Sequence, residues 1–406
     1  FQSVILNAIS EPSELQKIEA DVIIDSSLGT GLKTPVKGLF AKVTELINSS
    51  KAFKVAVDVP TGINSNTGEV LGIAVKADLT VTFHDKKIGL LKAEPYTGEI
   101  IVVDIGIPRE AEIYAGPGDV KLAIKPRPID SHKGDFGKLL IIGGSVDYIG
   151  APTLVALGAL RAGVDLAIVA APEKVAWAIN TLSPDIITRK LPGNALSEEA
   201  IPKISDLINK ATAVVIGPGL GTDSKIKEAI LKIFEIVKKL NFPLLIDADA
   251  IKALSNKPTL VTNMPCVITP HAGEFKILTG IFLPTELDLR VEIVKKQAKE
   301  LGVTILLKAN KDIITDPSGK VKINQTGNPG MTVGGTGDVL AGVVGAFLAQ
   351  GVEPYRAAVA GAFVNGLAGD MCAKEFGYQL IASDLLLKIP IIIRNLQKGD
   401  LTGQIN

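Results

Sequence analysis

The sequence predicts an α/β protein with more than one domain. Its 406 residues exceed what a single hydrophobic core normally organises, so two or three domains are expected. Hydrophobic residues make up 47% of the chain and aromatic residues only 4%, which indicates an aliphatic interior like that of buried parallel strands. Short apolar runs alternate with longer amphipathic stretches, a rhythm typical of strand, crossover helix and parallel strand.

The first hundred residues contain four apolar runs that predict parallel strands. The first two runs end in Asp25 and Asp58, and a turn that contains glycine follows each of them. Open α/β sheets bind ligands at such carboxyl ends of strands, so we expect a site there. The predicted strands lie at residues 22–25, 54–58, 79–83 and 100–104, with a helix at residues 36–49 between the first two.

Residues 106–127 are dense in Pro and Gly and interrupt this rhythm. We therefore place the domain boundary in this segment, with one domain at residues 1–112 and a second at residues 113–406. The alternation then restarts with a predicted helix at residues 151–162, and it ends with two or three Ala- and Gly-rich helices from Gly337 onward. The predicted strands of the second domain lie at residues 138–142, 166–170, 213–216, 244–246, 266–268 and 304–308.

Composition excludes several classes of partner. Lys plus Arg and Asp plus Glu both number 43, so no net field attracts a polyanion and nucleic acid is not an expected partner. The two cysteines, Cys266 and Cys372, lack metal-ligand spacing and suit a reducing, cytoplasmic setting. The longest apolar stretches, residues 150–172 and 333–349, carry charged residues within them, which is typical of buried helices rather than membrane spans.

The strongest chemical signal is the segment that ends in Asp338. Gly335, Thr336 and Gly337 form a turn with small side chains, whose N–H groups can face an anion at the start of a helix. A carboxylate there can take a proton from a substrate hydroxyl as that oxygen attacks a phosphate. Asp338 could instead simply cap the helix, but a cap requires neither the small residues before it nor the long apolar helix after it.

Other candidate residues follow predicted strands of the second domain. Residues 217–221, Gly-Pro-Gly-Leu-Gly, let a ligand approach the main chain at a strand end. His271 follows the strand at 266–268, and Lys308, at the end of the strand at 304–308, suits a phosphate. Asp247 and Asp249 could hold a phosphate-bound magnesium ion or cap the next helix, and the sequence leaves both alternatives open.

Residues from about 120 to 406 resemble the NAD(P)H-hydrate dehydratases, which are ribokinase-like enzymes. The resemblance implies a three-layer α/β/α domain in which ADP or ATP, with Mg²⁺, phosphorylates the hydroxyl of a hydrated nicotinamide ring before phosphate is eliminated. It rests on the order and spacing of Lys133-Gly134-Asp135-Phe136-Gly137, Gly143-Gly144-Ser145, Tyr148-Ile149-Gly150-Ala151-Pro152, residues 217–221, residues 269–274 and residues 335–338.

The resemblance also implies roles for individual residues of this domain. Asp338 would be the catalytic base and a substrate contact, and residues 335–337 would form the anion hole. Further substrate contacts would be Ala151, Gly219 and His271. The nucleotide pocket would be lined by Lys308, Ala309, Asn310, Lys311 and Asp312, together with Gly335, Thr336 and Gly337.

The N-terminal residues resemble the C-terminal part of the NAD(P)H-hydrate epimerases, which implies a partial Rossmann-like domain. The matching motifs are residues 25–32, 57–62 and 77–83. The resemblance implies K⁺ at Asp25 and Thr61, and Asp58 as a catalytic and substrate-contacting residue. Because the family's glycine-rich loop with an Asn and an Asp is not found here, we expect a truncated, incomplete epimerase site. The remaining substrate contacts would be Gly29, Thr30, Gly31, Leu32, Lys33, Thr34 and Pro35.

Two other functions could use the same residues. A ribokinase-like kinase of a small vitamin-precursor alcohol needs the same base, although it would not be expected to carry the N-terminal domain. A nucleotide-sensing protein without catalysis should have a degraded anion hole, whereas residues 335–338 are intact. The sequence does not distinguish ADP from ATP as the donor, and its apolar Ala- and Gly-rich helices favour a homo-oligomer.

Overall fold

The computed structural model describes residues 8–255 and 257–398, without the side chain of Arg109. Its contacts divide the chain into two compact units, Phe1–Ala111 and Glu112–Asn406. The predicted boundary after residue 112 differs from this division by one residue, and both positions lie within the short helix α3 (Arg109–Ile113).

Unit 1 is organised around a four-stranded parallel sheet in the order β1-β2-β3-β4. The strand predicted at 54–58 ends one residue earlier, because Asp58 adopts a left-handed backbone conformation (φ 65) that no β-strand can continue. The strand predicted at 100–104 likewise begins and ends one residue earlier. The elements are β1 (Val22–Asp25), α1 (Gly38–Ser49), β2 (Phe53–Val57), β3 (Leu79–Phe83), α2 (Glu94–Thr97) and β4 (Glu99–Val103).

Unit 2 contains a nine-stranded sheet in the order β13-β12-β11-β10-β9-β8-β5-β6-β7. Strands β5 to β11 are parallel, and β12 and β13 are added antiparallel at one edge. The strands are β5 (Lys138–Ile142), β6 (Leu166–Pro172), β7 (Ile187–Leu191), β8 (Ala213–Ile216), β9 (Leu244–Ile246), β10 (Cys266–Ile268), β11 (Thr304–Leu307), β12 (Asp312–Thr315) and β13 (Val321–Asn324).

Helices cover both faces of this sheet. Successive side chains of β5 point to opposite faces of the sheet, and both faces are buried. Leu139 and Ile141 pack into the core on one face, and Leu140 and Ile142 pack into the core on the other. The first core includes residues of α4, α5, α6, α12, α13 and α14, and the second includes residues of α7 to α11. The helices are α4 (Pro117–Ala123), α5 (Gly150–Arg161), α6 (Glu173–Leu182), α7 (Ile201–Ile208), α8 (Ser224–Leu240), α9 (Asp249–Leu254), α10 (Ala272–Thr279), α11 (Leu287–Leu301), α12 (Thr336–Ala349), α13 (Pro354–Phe376) and α14 (Ala382–Lys398).

The direction in which successive strands are added to the sheet reverses between the parallel neighbours β5 and β8. From β5 the chain proceeds to β6 and β7 at one edge, and it then returns to β8 and continues through β9, β10 and β11 toward the other edge. The loops that follow β5 and β8 therefore diverge and leave a crevice at the carboxyl ends of these strands, where doubly wound sheets bind ligands. The glycine-rich segment at residues 217–221 lies at this point.

Three features of unit 2 differ from the sequence-based expectation. The segment that we predicted as an irregular boundary contains α4, whose Val120 and Ala123 are fully buried. Strand β7 was not predicted because Arg189 and Lys190 interrupt its apolar pattern. Strands β12 and β13 form a short antiparallel hairpin, which an alternation of parallel strands and helices does not predict. Among the described residues no helix is both long and apolar enough to cross a membrane.

Candidate active site

Three strands of unit 2 deliver charged side chains to one point at their carboxyl ends. Lys308 follows β11, and its Nζ lies 2.8 Å from Oδ1 of Asp247, which follows β9. The same Nζ lies 3.8 Å from Oε2 of Glu274, in the first turn of α10 after β10. Both carboxylates are buried, at 2% and 5% exposure, so the ammonium group is the cation that compensates them.

The N-terminus of α12 lies beside this ammonium group. Gly335 caps the helix with a positive φ of 98, and a side chain there would collide with Leu154 and Ala382. The N–H groups of Thr336, Gly337 and Asp338 come before the first intrahelical hydrogen bond, which Val339 donates to Gly335. A Cβ built on Gly337 would lie 3.7 Å from Nζ of Lys308. The turn and the lysine therefore form one corner whose N–H groups and positive charge suit an anion.

Asp338 has the electrostatics of a general base. Burial and the charge of Asp247 raise the pKa of Asp338 to about 7, and Lys308 offsets part of this rise. Burial lowers the pKa of Lys308, but the charges of Asp247 and Glu274 outweigh it, so the pKa of the ammonium group is raised overall. Near neutral pH the site therefore pairs a permanent cation with a carboxylate that can gain or lose a proton.

The glycine-rich turn after β8 lies against the loop before α5. Gly219 has a φ of 66, and a Cβ built there would lie 2.7 Å from Cβ of Tyr148 and 3.4 Å from Cβ of Ala151. Any side chain at position 219 would fill this space. Two of the predicted substrate contacts, Gly219 and Ala151, are thus neighbours at the crevice between β5 and β8.

His271, the third predicted substrate contact, caps α10 with its own ring. The N–H groups of Gly273 and Glu274 donate to Nδ1 at 3.0 and 3.3 Å, so Nδ1 is an acceptor and a neutral ring carries its proton on Nε2. Oε2 of Glu274 accepts in return from the N–H of His271 at 3.0 Å. An isolated β-bridge joins His271 to Lys308, so the structure brings the histidine to the charged cluster.

A cavity of about 440 Å³ opens beside the α12 turn. It brings together six of the eight residues predicted to bind the nucleotide: Lys308, Ala309, Asn310, Asp312, Thr336 and Gly337. Lys311 and Gly335 do not line it. The carboxylate of Asp312 shapes the turn after β11, because it accepts from the N–H of Ala309 at 2.9 Å and from Nδ2 of Asn324 at 3.0 Å.

The carboxylates of Asp247 and Asp249, for which the sequence left two roles open, have different contacts in the structure. Neither carboxylate caps α9, whose N-cap is Ala248 and has no side-chain cap. Both oxygens of Asp249 are occupied, by the N–H of Gly221 at 2.9 Å and by Nζ of Lys252 at 2.9 Å, so Asp249 braces the glycine-rich turn. Asp247 uses Oδ1 for Lys308 and for Thr269, at 2.8 Å each.

Several residues of this site were not predicted as functional. Glu274 could have been found, because a Glu three residues after a helix cap is the signature of a capping box. Lys252 lies one helical turn after Asp249, and Asp249, Glu274 and Tyr148 all contribute to raising its pKa. The cavity residues Asn365, Met331 and Leu340 carry no local sequence signal, because they come from two helices and a loop that only the fold brings together.

Unit 1 places its two predicted metal ligands in direct contact. Asp25 and Thr61 are each 2% exposed, at the carboxyl ends of β1 and β2. The hydroxyl and N–H of Thr61 donate to the two carboxylate oxygens at 2.7 and 2.8 Å. Leu28 adds a carbonyl oxygen 3.4 Å from the hydroxyl. This cluster of hard oxygen atoms is chemically suited to an alkali cation.

Asp58, the predicted catalytic residue of unit 1, is held by Lys87. Its Oδ1 accepts from Nζ of Lys87 and from the N–H of Phe83 and the hydroxyl of Thr82, at 3.1 Å each. Burial raises the pKa of Asp58, but these partners outweigh it and lower the pKa overall. Lys87 was not among the residues predicted from the sequence to be functional. The predicted loop of residues 29–35 follows β1 and is exposed apart from the half-buried Leu32.

Comparison with known families identifies this protein's relatives. Residues 139–391 match the family described as NAD(P)H-hydrate dehydratase, and residues 3–89 match the family described as YjeF-related protein N-terminus. A bifunctional NAD(P)H-hydrate repair enzyme of Pyrobaculum aerophilum is 49% identical over 92% of this chain and 74% of the relative. The chain belongs to the family of bifunctional NAD(P)H-hydrate repair enzymes.

Further relatives agree with this assignment. The repair enzyme of Hyperthermus butylicus is 44% identical over 95% of this chain and 72% of its own length. Among solved structures, a ribokinase-like protein of Enterococcus faecalis has a TM-score of 0.62 at 29% identity, covering 70% of this chain and 96% of that one. The ADP/ATP-dependent NAD(P)H-hydrate dehydratase of Bacillus subtilis, co-crystallised with ATP and Mg²⁺, has a TM-score of 0.60 at 27% identity, covering 70% and 98%.

The expected α/β fold, with a ribokinase-like second domain, is confirmed by these neighbours. The expected repair-enzyme family is likewise confirmed, in preference to a vitamin-precursor kinase or a sensor without catalysis. The roles of individual residues stay predictions, which the geometry above allows us to develop.

Proposed function

We propose that unit 2 dehydrates the hydrated nicotinamide ring of NADH or NADPH at the expense of ADP or ATP. The first turn of α12 carries this proposal, because Asp338, with its raised pKa, and N–H groups without intrahelical partners lie there beside Lys308. The B. subtilis dehydratase, which shares the fold, was co-crystallised with ATP and Mg²⁺, and this supports a nucleotide as co-substrate.

In the first step the ring hydroxyl gives its proton to Asp338 while its oxygen attacks the terminal phosphorus. The bond to the leaving nucleotide breaks, and AMP or ADP departs with the electron pair. The α12 amides and Lys308 stabilise the charge on the transferred group. In the second step the carbon–oxygen bond breaks, phosphate leaves with that pair, and loss of a proton from the adjacent ring carbon restores the double bond.

Asp247 is the residue that would hold Mg²⁺ with the nucleotide. Mg²⁺ usually takes one or two carboxylates together with phosphate and water oxygens. Oδ1 of Asp247 is engaged by Lys308 and Thr269, whereas Oδ2 accepts no hydrogen bond from the described residues, so it suits this role. The bound ion would neutralise charge on the phosphates. Asp249 does not fit, since both its oxygens are occupied.

For unit 1 we propose that the domain, when complete, interconverts the R and S hydrates; the relatives' name, bifunctional NAD(P)H-hydrate repair enzyme, supports a second activity beside the dehydratase. Asp25 and Thr61 would hold K⁺, and the loop of residues 29–35 would lie around the substrate. Asp58, kept ionised by Lys87, would accept or orient a proton. We further propose that the protein is located in a reducing cytoplasm and forms a homo-oligomer.

The dehydratase proposal predicts that the protein restores NADH absorbance from S-hydrate only when ADP or ATP is present with Mg²⁺. One equivalent of inorganic phosphate should appear for each NADH formed, because every turnover eliminates the transferred group. A kinase would produce a stable phosphorylated ring, without recovery of absorbance.

The epimerase proposal for unit 1 is tested by the same assay with R-hydrate, with and without K⁺. Recovery of absorbance that depends on Asp58 supports the epimerase role of this residue. Identical recovery by wild type and Asp58→Asn rejects it.

The pKa of Asp338 predicts a pH profile. The base must be ionised, so kcat/KM should rise with pH, with a midpoint near the pKa of about 7 of the free protein, and should level off above it. Measuring initial rates with both the nucleotide and the hydrate well below saturation, between about pH 5 and pH 9, gives the midpoint for the free protein. A rate that is constant over this range would show that no group with such a pKa controls the reaction.

A further inference from the structure

The predicted substrate contacts lie outside the cavity beside α12. Ala151, Gly219 and His271 are absent from its lining, which comes from the turn after β11, the loop before α12, and the helices α12 and α13. The three contacts instead follow β5, β8 and β10. A substrate whose hydroxyl reaches Asp338 and which also touches these residues must therefore extend away from the cavity, toward the crevice between β5 and β8.

A lysine of α9, Lys252, is tied to the glycine-rich turn at residues 217–221. Its Nζ donates to Oδ1 of Asp249 at 2.9 Å. Oδ2 of the same carboxylate accepts from the N–H of Gly221, at the end of the turn, also at 2.9 Å. The ammonium group is thus one carboxylate away from the turn that carries the predicted substrate contact Gly219.

The other two substrate contacts also have neighbours beside Lys252. The hydrogen bond to its carboxylate partner raises the pKa of Lys252, burial offsets part of this rise, and the charges of Glu274 and Tyr148 are close enough to add to it. The N–H of His271 donates to Oε2 of Glu274 at 3.0 Å. Tyr148 precedes α5, and its Cβ faces Gly219 together with that of Ala151. Lys252 therefore lies among the three segments that bear the substrate contacts.

The ammonium group of Lys252 is accessible to a ligand. The side chain is 37% exposed. Of its three N–H groups one donates to Asp249, and the described residues accept from neither of the others. An ion pair this exposed is weak, so a second anion can share or replace the carboxylate. The compact charge of a lysine suits a phosphate group.

We infer that Lys252 binds a phosphate group of the hydrated dinucleotide and thereby orients this substrate in the crevice. The hydrates of NADH and NADPH share a pyrophosphate bridge, and the NADPH hydrate carries a further phosphate on a ribose. The inference rests on the proposed dehydratase function and adds a substrate-binding residue to it. Lys252 would contact a part of the substrate that does not react, so its loss should raise KM and leave kcat almost unchanged.

The test measures kcat and KM of the full chain at saturating ATP and Mg²⁺, with the S-hydrate of NADH or of NADPH as the varied substrate. Lys252→Met should raise KM by about 10–100-fold, as the loss of a hydrogen bond between charged groups implies. Lys252→Arg keeps the positive charge and should stay close to the wild type. Lys232→Met is the control, because it removes another partly exposed lysine with a carboxylate partner, Glu198 at 2.6 Å, and should leave KM unchanged.

Asp249→Asn separates phosphate binding from support of the glycine-rich turn. Asn can still accept from the N–H of Gly221, but it no longer neutralises Lys252. If Lys252 binds a phosphate, the KM of Asp249→Asn should be equal to that of the wild type or lower. If Lys252 acts only by supporting the turn through Asp249, this variant should raise KM as much as Lys252→Met does, and the inference is overturned.

The two hydrates distinguish which phosphate is bound. A higher KM of Lys252→Met for both hydrates assigns the contact to the pyrophosphate, and a rise confined to the NADPH hydrate assigns it to the additional ribose phosphate. A wild-type KM for both hydrates overturns the inference and leaves the dehydratase proposal standing. If the wild-type protein restores no NADH absorbance from the S-hydrate, the proposed function fails, and this inference fails with it.

Discussion

Replacing Asp338 with Asn is expected to reduce the turnover number of the dehydratase reaction by about 10²–10⁴-fold, the usual contribution of a positioned general base. Asn has the same shape and can remain among the α12 amides, but it cannot accept the hydroxyl proton. The affinity for Mg²⁺ and ATP should change little, since the nucleotide contacts proposed above come from Lys308, the turn after β11 and the cavity. Single-turnover kinetics and calorimetry on the same preparation separate the two quantities.

The stability of Asp338→Asn provides an independent check that the variant is folded. The folded-state pKa of Asp338 is raised, to about 7, so its contribution to stability is present at low pH and is lost as pH rises from the unfolded-state value near 4 through 7. Asn has no such dependence. The variant should therefore have a larger free energy of unfolding than the wild type at pH 8. This difference should be smaller at pH 5. The single tryptophan, Trp177 in α6, reports the unfolding of unit 2.

Two outcomes would contradict the role of Asp338 in different ways. Turnover within a few-fold of the wild type would show that another group removes the proton. A fall in turnover accompanied by an equal fall in nucleotide affinity would assign Asp338 to binding rather than to proton transfer. Asp316→Asn gives a comparison outside the site, because the Asp316 carboxylate accepts local hydrogen bonds from Ser318 and Lys320 in the turn after β12.

The site residues predicted from the sequence are those with a reactive side chain at a recognisable backbone feature, such as the end of a strand or a turn of small residues. Asp338 follows a run of small residues, Lys308 directly follows β11, and His271 lies three residues after the end of β10. Their place at the carboxyl edge of a parallel sheet could therefore be inferred from strand order alone. Asp58 was found in the same way, although its left-handed backbone ends the strand one residue sooner than the apolar pattern indicates.

What the sequence did not reveal depends on tertiary contacts. Asn365 is one polar residue within a buried Ala- and Gly-rich helix, and only the packing of α13 against α12 brings it to the lining of the cavity. Lys87 lies among charged residues that suggest an exposed turn, yet it contacts a carboxylate 29 residues earlier in the chain. Neither position has a periodicity or a spacing that distinguishes it from an ordinary core or surface residue.

Replacing Lys308 with Met is expected to produce the largest loss of stability. Met fills a similar volume but leaves Asp247 and Glu274, which are 2% and 5% exposed, without their cation. Removing one partner of a buried ion pair typically costs about 3–5 kcal/mol. The free energy of unfolding of unit 2, followed by the fluorescence of Trp177 in urea, measures this cost. Lys296→Met, at an exposed pair with Glu300 3.9 Å apart, should cost less than about 0.5 kcal/mol.

The pH dependence of the stability lost in Lys308→Met identifies the cause of that loss. Without the ammonium group, the pKa of Asp338, which Lys308 holds down in the wild type, should rise further. A raised folded-state pKa removes stability as pH increases, so the deficit should be larger at pH 8 than at pH 5. Adding Asp247→Asn to Lys308→Met should recover part of the loss, because one buried charge is then removed. A deficit that is equal at both pH values and unchanged in the double variant would mean that the loss comes from packing, and the charged corner would then contribute little to the stability of the fold.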